Sequence, residues 1–251
     1  MFVLGIVGSP RKDGRSHTLV NAASEGAAAL GAETRVVYLV DYDIRPYGAQ
    51  GGAPYCPKDL SALCDQADAL VIGAPVYWGD INGLTKDFMD SVQLARANGK
   101  PAAGAAIAGG SGKGLLSGVQ SIYHFLYHRQ FRAIDPTPVS RFNFDAALAT
   151  LRETGARLVS MAQHPEPFPG APLDGRWGAV LSHYATLPYL TQGPLDEFVL
   201  LAQQLFAIST RDAVPQAQHE LEQALLLREQ GQDAEAAHHA VRAYELLYFD
   251  E

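Results

Sequence analysis

Phe2-Val-Leu-Gly-Ile-Val-Gly-Ser-Pro-Arg-Lys-Asp-Gly-Arg-Ser-His-Thr-Leu19 joins an apolar run, a polar turn and the start of a helix. Phe2 to Val7 is short, apolar and β-branched enough for a buried strand, while Gly8 and Gly14 bracket a loop too polar to continue it. From Ser16 the pattern is helical and Ala-rich as far as Leu30, with Gly31 placed as a C-cap. The first N–H groups of a helix have no intrahelical partner. With the hydroxyls of Ser9, Ser16 and Thr18 and the guanidinium of Arg11, they predict a site for an anion, phosphate above all.

Working outward, Arg35 to Val40 reads as a second strand, and Asp41 to Pro57 holds six glycines or prolines around Tyr47 and Tyr55, which marks a surface loop. A short helix is predicted over Lys58 to Gln66. Ala69 to Ala74 is a third strand, a near-continuous apolar run of the kind that suits a parallel sheet covered on both faces, with Pro75 expected to stop it. A helix follows from Gly83 to Ala97, then a fourth strand from Ala102 to Ala108 that is poor in large side chains. Gly109-Gly-Ser-Gly-Lys-Gly114 leads into a helix from Leu115 to about Gln130. A weak fifth strand falls in Ile134 to Phe142, and Phe144 to Gln163 is an amphipathic helix. Five β-α repeats predict a parallel sheet with helices on both faces and a ligand at the carboxyl ends of the strands.

Residues 1–164 therefore read as one α/β domain. A connection rich in Pro and Gly covers 165–195, within which Trp177, Tyr184 and Tyr189 are candidates to fold back over a ligand. Helices at Pro194 to Ile208, about Pro215 to Gln230, and Asp233 to Tyr248 make an extension over 196–251. The last two resemble a single tetratricopeptide-type hairpin, which cannot bury its own apolar face. It must pack on the main domain, on a second subunit or on another protein. Truncation after about residue 195 is expected to alter assembly or solubility more than ligand binding.

The charge supports this division. The net charge is −8, yet residues 1–195 carry 16 acidic and 16 basic side chains, against 11 acidic and 3 basic in 196–251. Such a balance argues against a nucleic-acid partner. No run of about 18 apolar residues predicts a membrane span, and the N-terminus lacks a signal-peptide layout, so a cytoplasmic location is expected. The two cysteines, Cys56 and Cys64, are expected as free thiols.

In a parallel sheet the loops Ser9 to Thr18, Pro75 to Asn82 and Gly109 to Gly114 meet at one rim. Alone, the first is an ordinary capped helix start and the third a flexible turn. The third is no Walker loop either, because Gly114 stands where a magnesium-binding Ser or Thr belongs. The middle loop decides the matter: Tyr77 and Trp78, between Pro75 and Gly79, are placed to offer a wall for a flat ring. A phosphate and a ring about 8–10 Å apart across the strands suit a flavin mononucleotide.

Gly8-Ser9-Pro10-Arg11 with Ser16-His17-Thr18, followed by Ala74-Pro-Val-Tyr-Trp-Gly-Asp-Ile-Asn-Gly-Leu-Thr-Lys-Asp-Phe-Met-Asp90, resembles the NAD(P)H-dependent FMN reductases of the flavodoxin-like superfamily. The resemblance covers about residues 1–164. It implies a doubly wound five-stranded parallel sheet of order 2-1-3-4-5, with the helical extension added. It also implies an FMN-dependent oxidoreductase that takes electrons from NADPH or NADH and passes them to a quinone, a flavin or another small acceptor, and a homodimer. Carried over, the phosphate contacts fall on Ser9, Arg11, Ser16, His17 and Thr18. The ring contacts fall on Pro75, Val76, Tyr77, Trp78, Gly79 and Asn82, and on Gly109, Gly110 and Ser111 at the flavin edge.

Iron–sulfur flavoproteins are a branch that the sequence also resembles, but the loop after the second strand retains only Cys56, and a cubane cluster needs about four thiolates. His124 and His128 share a helix face without a third ligand, and adjacent His238 and His239 point apart, so no metal site is assigned. Ser9, His17 and Asp13 lie on one short loop and make no catalytic triad; the chemistry expected is the flavin's. Two other readings stay open: an FMN electron carrier that docks a redox partner through the acidic C-terminal helices, and a flavodoxin-like interaction module without flavin.

Overall fold

Alternating apolar runs and amphipathic stretches become strands and helices in that order, and the computed structural model describes residues 1–48, 51–171 and 175–249 of the chain. Positions 49–50 of the glycine-rich loop, 172–174 of the Pro/Gly-rich connection and 250–251 lie outside the described residues.

The strands are β1 (Phe2–Val7), β2 (Glu33–Tyr38), β3 (Ala69–Tyr77), β4 (Asp80–Ile81), β5 (Pro101–Ala108), β6 (Arg132–Ala133) and β7 (Thr137–Ser140). The sheet runs β2-β1-β3-β5-β6, with β7 beside the carboxyl half of β5 and every pair parallel except β3 with β4. Counting the main strands alone, this is the expected order 2-1-3-4-5; the weak fifth strand is split into β6 and β7 around Pro136.

Helices α1 (Arg15–Ala29) and α5 (Phe144–Gln163) cover one face, burying Leu19, Val20, Leu151 and Leu158 against Val3, Val71 and Ala103. On the other face lie α2 (Lys58–Gln66), α3 (Gly83–Ser91), α4 (Leu115–His128) and α6 (Arg176–Tyr184), whose Leu60, Phe88, Ile122 and Val180 meet Leu4, Ile6 and Ile72. The scarcity of large side chains in β5 follows from this packing. A Cβ on Gly104 would lie 2.6 Å from Ile122 Cγ2, and the Tyr123 hydroxyl donates to the Ile134 carbonyl at 2.6 Å across the strand end.

Three expectations are corrected. Pro75 does not stop β3, which continues to Tyr77 and turns back antiparallel into β4. Gly73 O accepts from Gly8 N–H at 2.7 Å, so residue 75 also faces the β1 side, where β1 has already ended. A missing N–H costs nothing there. Helix α3 ends at Ser91 rather than Ala97, and the chain beyond is held by Asp65, which accepts from the N–H groups of Ala95 and Arg96 at 3.0 and 3.1 Å. In the connection, α6 carries Trp177 and Tyr184 onto Tyr127 of α4 instead of over the rim, and the Tyr184 hydroxyl donates to Phe131 O at 2.8 Å, at the amino end of β6.

The extension is α7 (Pro194–Phe206), α8 (Val214–Glu229) and α9 (Asp233–Tyr248). Small faces of the hairpin, Ala217 and Ala224 against Ala240 and Ala243, close on each other, and α7 lies against α9. Together they bury Ala108, Leu115 and Phe142 of the α/β unit, so the extension packs on the main domain at the carboxyl rim of the sheet. No helix among the described residues is long and apolar enough to cross a membrane.

Helices α1 and α5 cross with their backbones in close contact. A Cβ on Gly155 would lie 1.8 Å from the Ala23 carbonyl oxygen, and one on Gly26 1.9 Å from the Arg152 carbonyl oxygen. Neither backbone can give way without separating the helices. We expect Gly155→Ala to cost about 1–3 kcal/mol, seen as a lower urea midpoint at unchanged slope; an unaltered midpoint would refute the close crossing.

Candidate functional site

The carboxyl ends of β1, β3 and β5 enclose a groove of about 220 Å³ lined by Ser9, Arg11, Gly14, Arg15, Ser16, Pro75, Val76, Tyr77, Ile107 and Gly109. Its floor is the start of α1. Gly14 is the N-cap residue, no side chain caps the helix, and its first turn holds no acidic residue. Among the described residues the N–H groups of that turn therefore have no capping side chain, and they lie beside the buried hydroxyl-bearing residues Ser9 and Ser16. Ser9 Oγ accepts from Arg11 N–H at 3.0 Å, which folds the loop back on itself.

Two guanidinium groups border this floor. Arg11 and Arg15 are both exposed and make no ion pair among the described residues, whereas Lys12 is taken by Asp41 at 2.6 Å. Arg15 lies over the Phe144 ring at 5.3 Å. A cation in the first turn opposes the helix dipole, and an anion bound at the helix start would offset that cost. Arg15 and Ile107 are lining residues that motif reading missed. The signal for Arg15 was present, since it occupies the first helical position of an uncapped helix.

The wall opposite is the β3–β4 hairpin. Its central residues Trp78 and Gly79 have φ of +55° and +88°, the sign that a tight two-residue turn of this hand needs. The turn leaves Tyr77 part exposed and the Trp78 indole fully in solvent at its tip. Asn82 sits beneath, buried: its Nδ2 donates to Gly8 O at 2.8 Å, and its Oδ1 accepts from the Thr85 hydroxyl at 2.6 Å. Its amide is thus spent on holding the first and second loops together.

The remaining expected residues lie off the groove. His17 meets the edge of Tyr38 at 5.5 Å, and the Thr18 hydroxyl donates to Gly14 O at 3.5 Å within α1. Gly110 and Ser111 are on the outer side of the third loop, where the Tyr244 hydroxyl of α9 donates to Ser111 O at 2.9 Å. A contact that sequence reading did not find closes this loop. The Glu197 carboxylate of α7 accepts from Gly114 N–H at 2.9 Å and Leu116 N–H at 3.0 Å, capping α4 from outside.

A larger cleft of about 490 Å³, lined by Asp65, Lys100 and Pro167 among others, lies at the amino ends of the strands. Its ammonium is committed to the Cys64 and Asp65 carbonyls at 2.8 and 3.0 Å. Doubly wound sheets present ligands at the opposite end. A groove smaller than the ~300–1,000 Å³ of a usual pocket suits the phosphate arm of a mononucleotide, with a ring system laid over the open rim by Tyr77.

A family model described as NADPH-dependent FMN reductase matches residues 1–142. The chain is 26% identical to an iron–sulfur flavoprotein of Methanocaldococcus jannaschii, over 65% of this chain and 98% of that protein. It is 30% identical to an iron–sulfur flavoprotein of Methanosarcina thermophila, over 51% of this chain and 73% of that protein. Among solved structures, an NADH:FMN oxidoreductase in its apo form superposes with a TM-score of 0.54 at 18% identity, over 69% of this chain and 99% of the other. That likeness is one of fold.

The donor set for an iron–sulfur cluster does not fit. The chain has two cysteines, and both are buried and unpaired. Burial pushes the Cys56 thiol up, and pushes that of Cys64 up to about 12. Cys56 Sγ turns to the Pro57 carbonyl at 3.7 Å. Because burial opposes the thiolate, both stay protonated well above neutral pH. We expect neither to react with a thiol-disulfide reagent at pH 8 in the folded protein and both to react in urea; rapid labelling of the native protein would contradict this burial.

Proposed function

This chain belongs to the NADPH-dependent FMN reductase family, and we propose that it binds FMN at the carboxyl rim of the sheet and passes electrons from NADPH or NADH to a quinone, a free flavin or another small acceptor. One observation carries the proposal: the uncapped start of α1, two arginines that make no ion pair among the described residues and an exposed aromatic hairpin converge on a single groove. Arg11, Arg15, Ser9 and Ser16 would hold the phosphate, with the α1 N–H groups donating along the floor. Pro75, Val76 and Tyr77 would seat one side of the ring system, with Trp78 and Gly79 at its edge.

FMN, when bound, supplies the hydride acceptance and electron delivery of the reaction. What the chain contributes is position. Two cations and a helix N-terminus favour a phosphate monoester, which carries two charges near neutral pH, over the single charge of a phosphodiester or an uncharged riboflavin. Asn82 holds the phosphate floor and the hairpin at fixed separation, so phosphate and ring are gripped in one register. Gly109, which lines the groove, would stand at the ring edge, and no side chain is asked to act as acid or base.

The test is spectroscopic. The purified protein should show flavin absorbance, as isolated or after incubation with FMN, and should bleach on anaerobic addition of NADPH or NADH. A protein that binds FMN but stays oxidised would be an electron carrier instead. One that never takes up FMN would be a flavodoxin-like interaction module. We further expect Arg11→Ala and Arg15→Ala each to weaken FMN binding by about 1.5–3 kcal/mol, roughly 10- to 150-fold in Kd, with riboflavin affinity unmoved. Equal losses for FMN and riboflavin would remove these arginines from the phosphate.

A further inference from the structure

We infer that the C-terminal helices brace the glycine loop of the flavin site from outside, and that Glu197 is a positioning residue which holds both ring-contacting loops in place; this rests on reading the rim as a flavin site. The third loop, Gly109 to Gly114, contains four glycines, three of them at positive φ, and so has little conformational preference of its own. Helix α4 starts at Gly114 with no side chain of its own to cap it and no acidic residue in its first turn. Glu197 supplies that cap from 83 residues away, one carboxylate oxygen to each of two N–H groups.

Four further contacts with the extension reach the same loop. The Tyr244 hydroxyl holds Ser111 O at 2.9 Å, and Lys113 Nζ lies over the rings of Phe198 and Tyr244 at 5.3 and 5.7 Å. A Cβ on Gly112 would lie 2.6 Å from Leu201 Cδ2, so α7 rests directly on the loop backbone.

The restraint passes on to the aromatic hairpin. The Ser117 hydroxyl donates to Gly79 O, and a Cβ on Gly114 would lie 2.7 Å from Gly79 Cα and 2.8 Å from Val76 Cγ1. The residue that Glu197 grips is therefore in contact with the turn that carries Trp78. One carboxylate on α7 fixes the amino end of α4, and that end fixes the two loops on either side of the ring. Its charge also offsets the positive end of α4, which faces the same rim.

The experiment uses the full chain and two readouts. Hydrogen–deuterium exchange without flavin reads the restraint itself. In Glu197→Ala, amides in 109–118 and 76–81 should exchange at least about tenfold faster than in the wild type, and Glu197→Asp should restore part of the protection. With FMN added, Glu197→Ala should raise Kd at least about tenfold, and Glu197→Gln should make the flavin midpoint potential more positive by removing a negative charge, a shift that a purely structural residue would not produce. Glu220→Gln, which alters only the contact with His239 on the outer hairpin, should leave loop exchange, Kd and potential unchanged.

Unchanged exchange in 109–118 for a folded Glu197→Ala protein would overturn the inference, whatever FMN does. If that variant does not fold, Tyr244→Phe takes its place: it removes one hydroxyl, must speed exchange at Ser111 and Gly112, and overturns the inference if it does not. Freed loops in a protein whose wild type takes up no FMN would instead uphold the restraint and sink the flavin reading.

Discussion

The buried carboxamide of Asn82 is the tie on which the site depends. Its Nδ2 donates to the carbonyl of Gly8 and its Oδ1 accepts from Thr85, while its own backbone N–H reaches Pro75 O at 3.1 Å. Through these bonds the end of β1, the far end of β3 and the start of α3 become one unit. The phosphate floor and the aromatic wall cannot then move independently. Thr85 is fully buried and sits so close to Gly8 that a Cβ there would overlap its hydroxyl at 1.8 Å. Glycine at position 8 is thus a packing requirement of this junction, besides ending the strand.

Much of this was legible from residue pattern because the fold is built of local repeats. Alternating apolar runs set the strands, and parallel order followed once helices separated them. The misreadings have a common cause. Pro75 is a strand breaker only if its missing N–H faces a neighbour, and whether it does depends on where β1 ends, a tertiary fact. Helix α3 stops at Ser91 because Asp65 of α2 captures the next turn, a partner some 30 residues away. Likewise Trp177 and Tyr184 are aromatic in a way that any ring-binding site would want, but they serve to close α6 over α4. For the site, residue types located Ser9, Arg11, Ser16 and Tyr77 on the groove lining, since each is local to its loop. Glu197 could not be read from the sequence, because nothing in a Pro-Leu-Asp-Glu helix start says which distant helix it will cap.

The comparison with iron–sulfur flavoproteins sharpens what kind of scaffold this is. The loop between Asp41 and Pro57, which carries Cys56, closes here through a backbone bridge between Arg45 and Tyr55, with the guanidinium over the tyrosine ring at 4.8 Å and Asp43 on its other side. Stacking and an ion pair thus hold the two ends of that loop together at Arg45 and Tyr55. The two thiols are turned inward, where a low dielectric keeps them protonated. Among the described residues the groove lining brings together basic, hydroxyl and aromatic side chains and no thiol, the donor set that the proposed flavin site calls for.

The charge distribution then takes on a specific meaning. An excess of eight acidic groups carried by an extension would, spread over its surface, be screened within about 8–10 Å at physiological salt and have little influence on a groove of this kind. Position matters more than number. Asp196 is turned to Gly193 N–H and Arg228, and Glu220 to His239, so these carboxylates are engaged within the extension. Glu197 is directed the other way, half-buried, onto two backbone donors of the α/β unit. Adjacent residues on one helix thus divide the work: Asp196 fixes how α7 begins, and Glu197 fixes where the glycine loop stands. Of the carboxylates on α7, Glu197 is the one that reaches the glycine loop, and its two hydrogen bonds are a stronger and more local link than the overall acidity of the extension could provide.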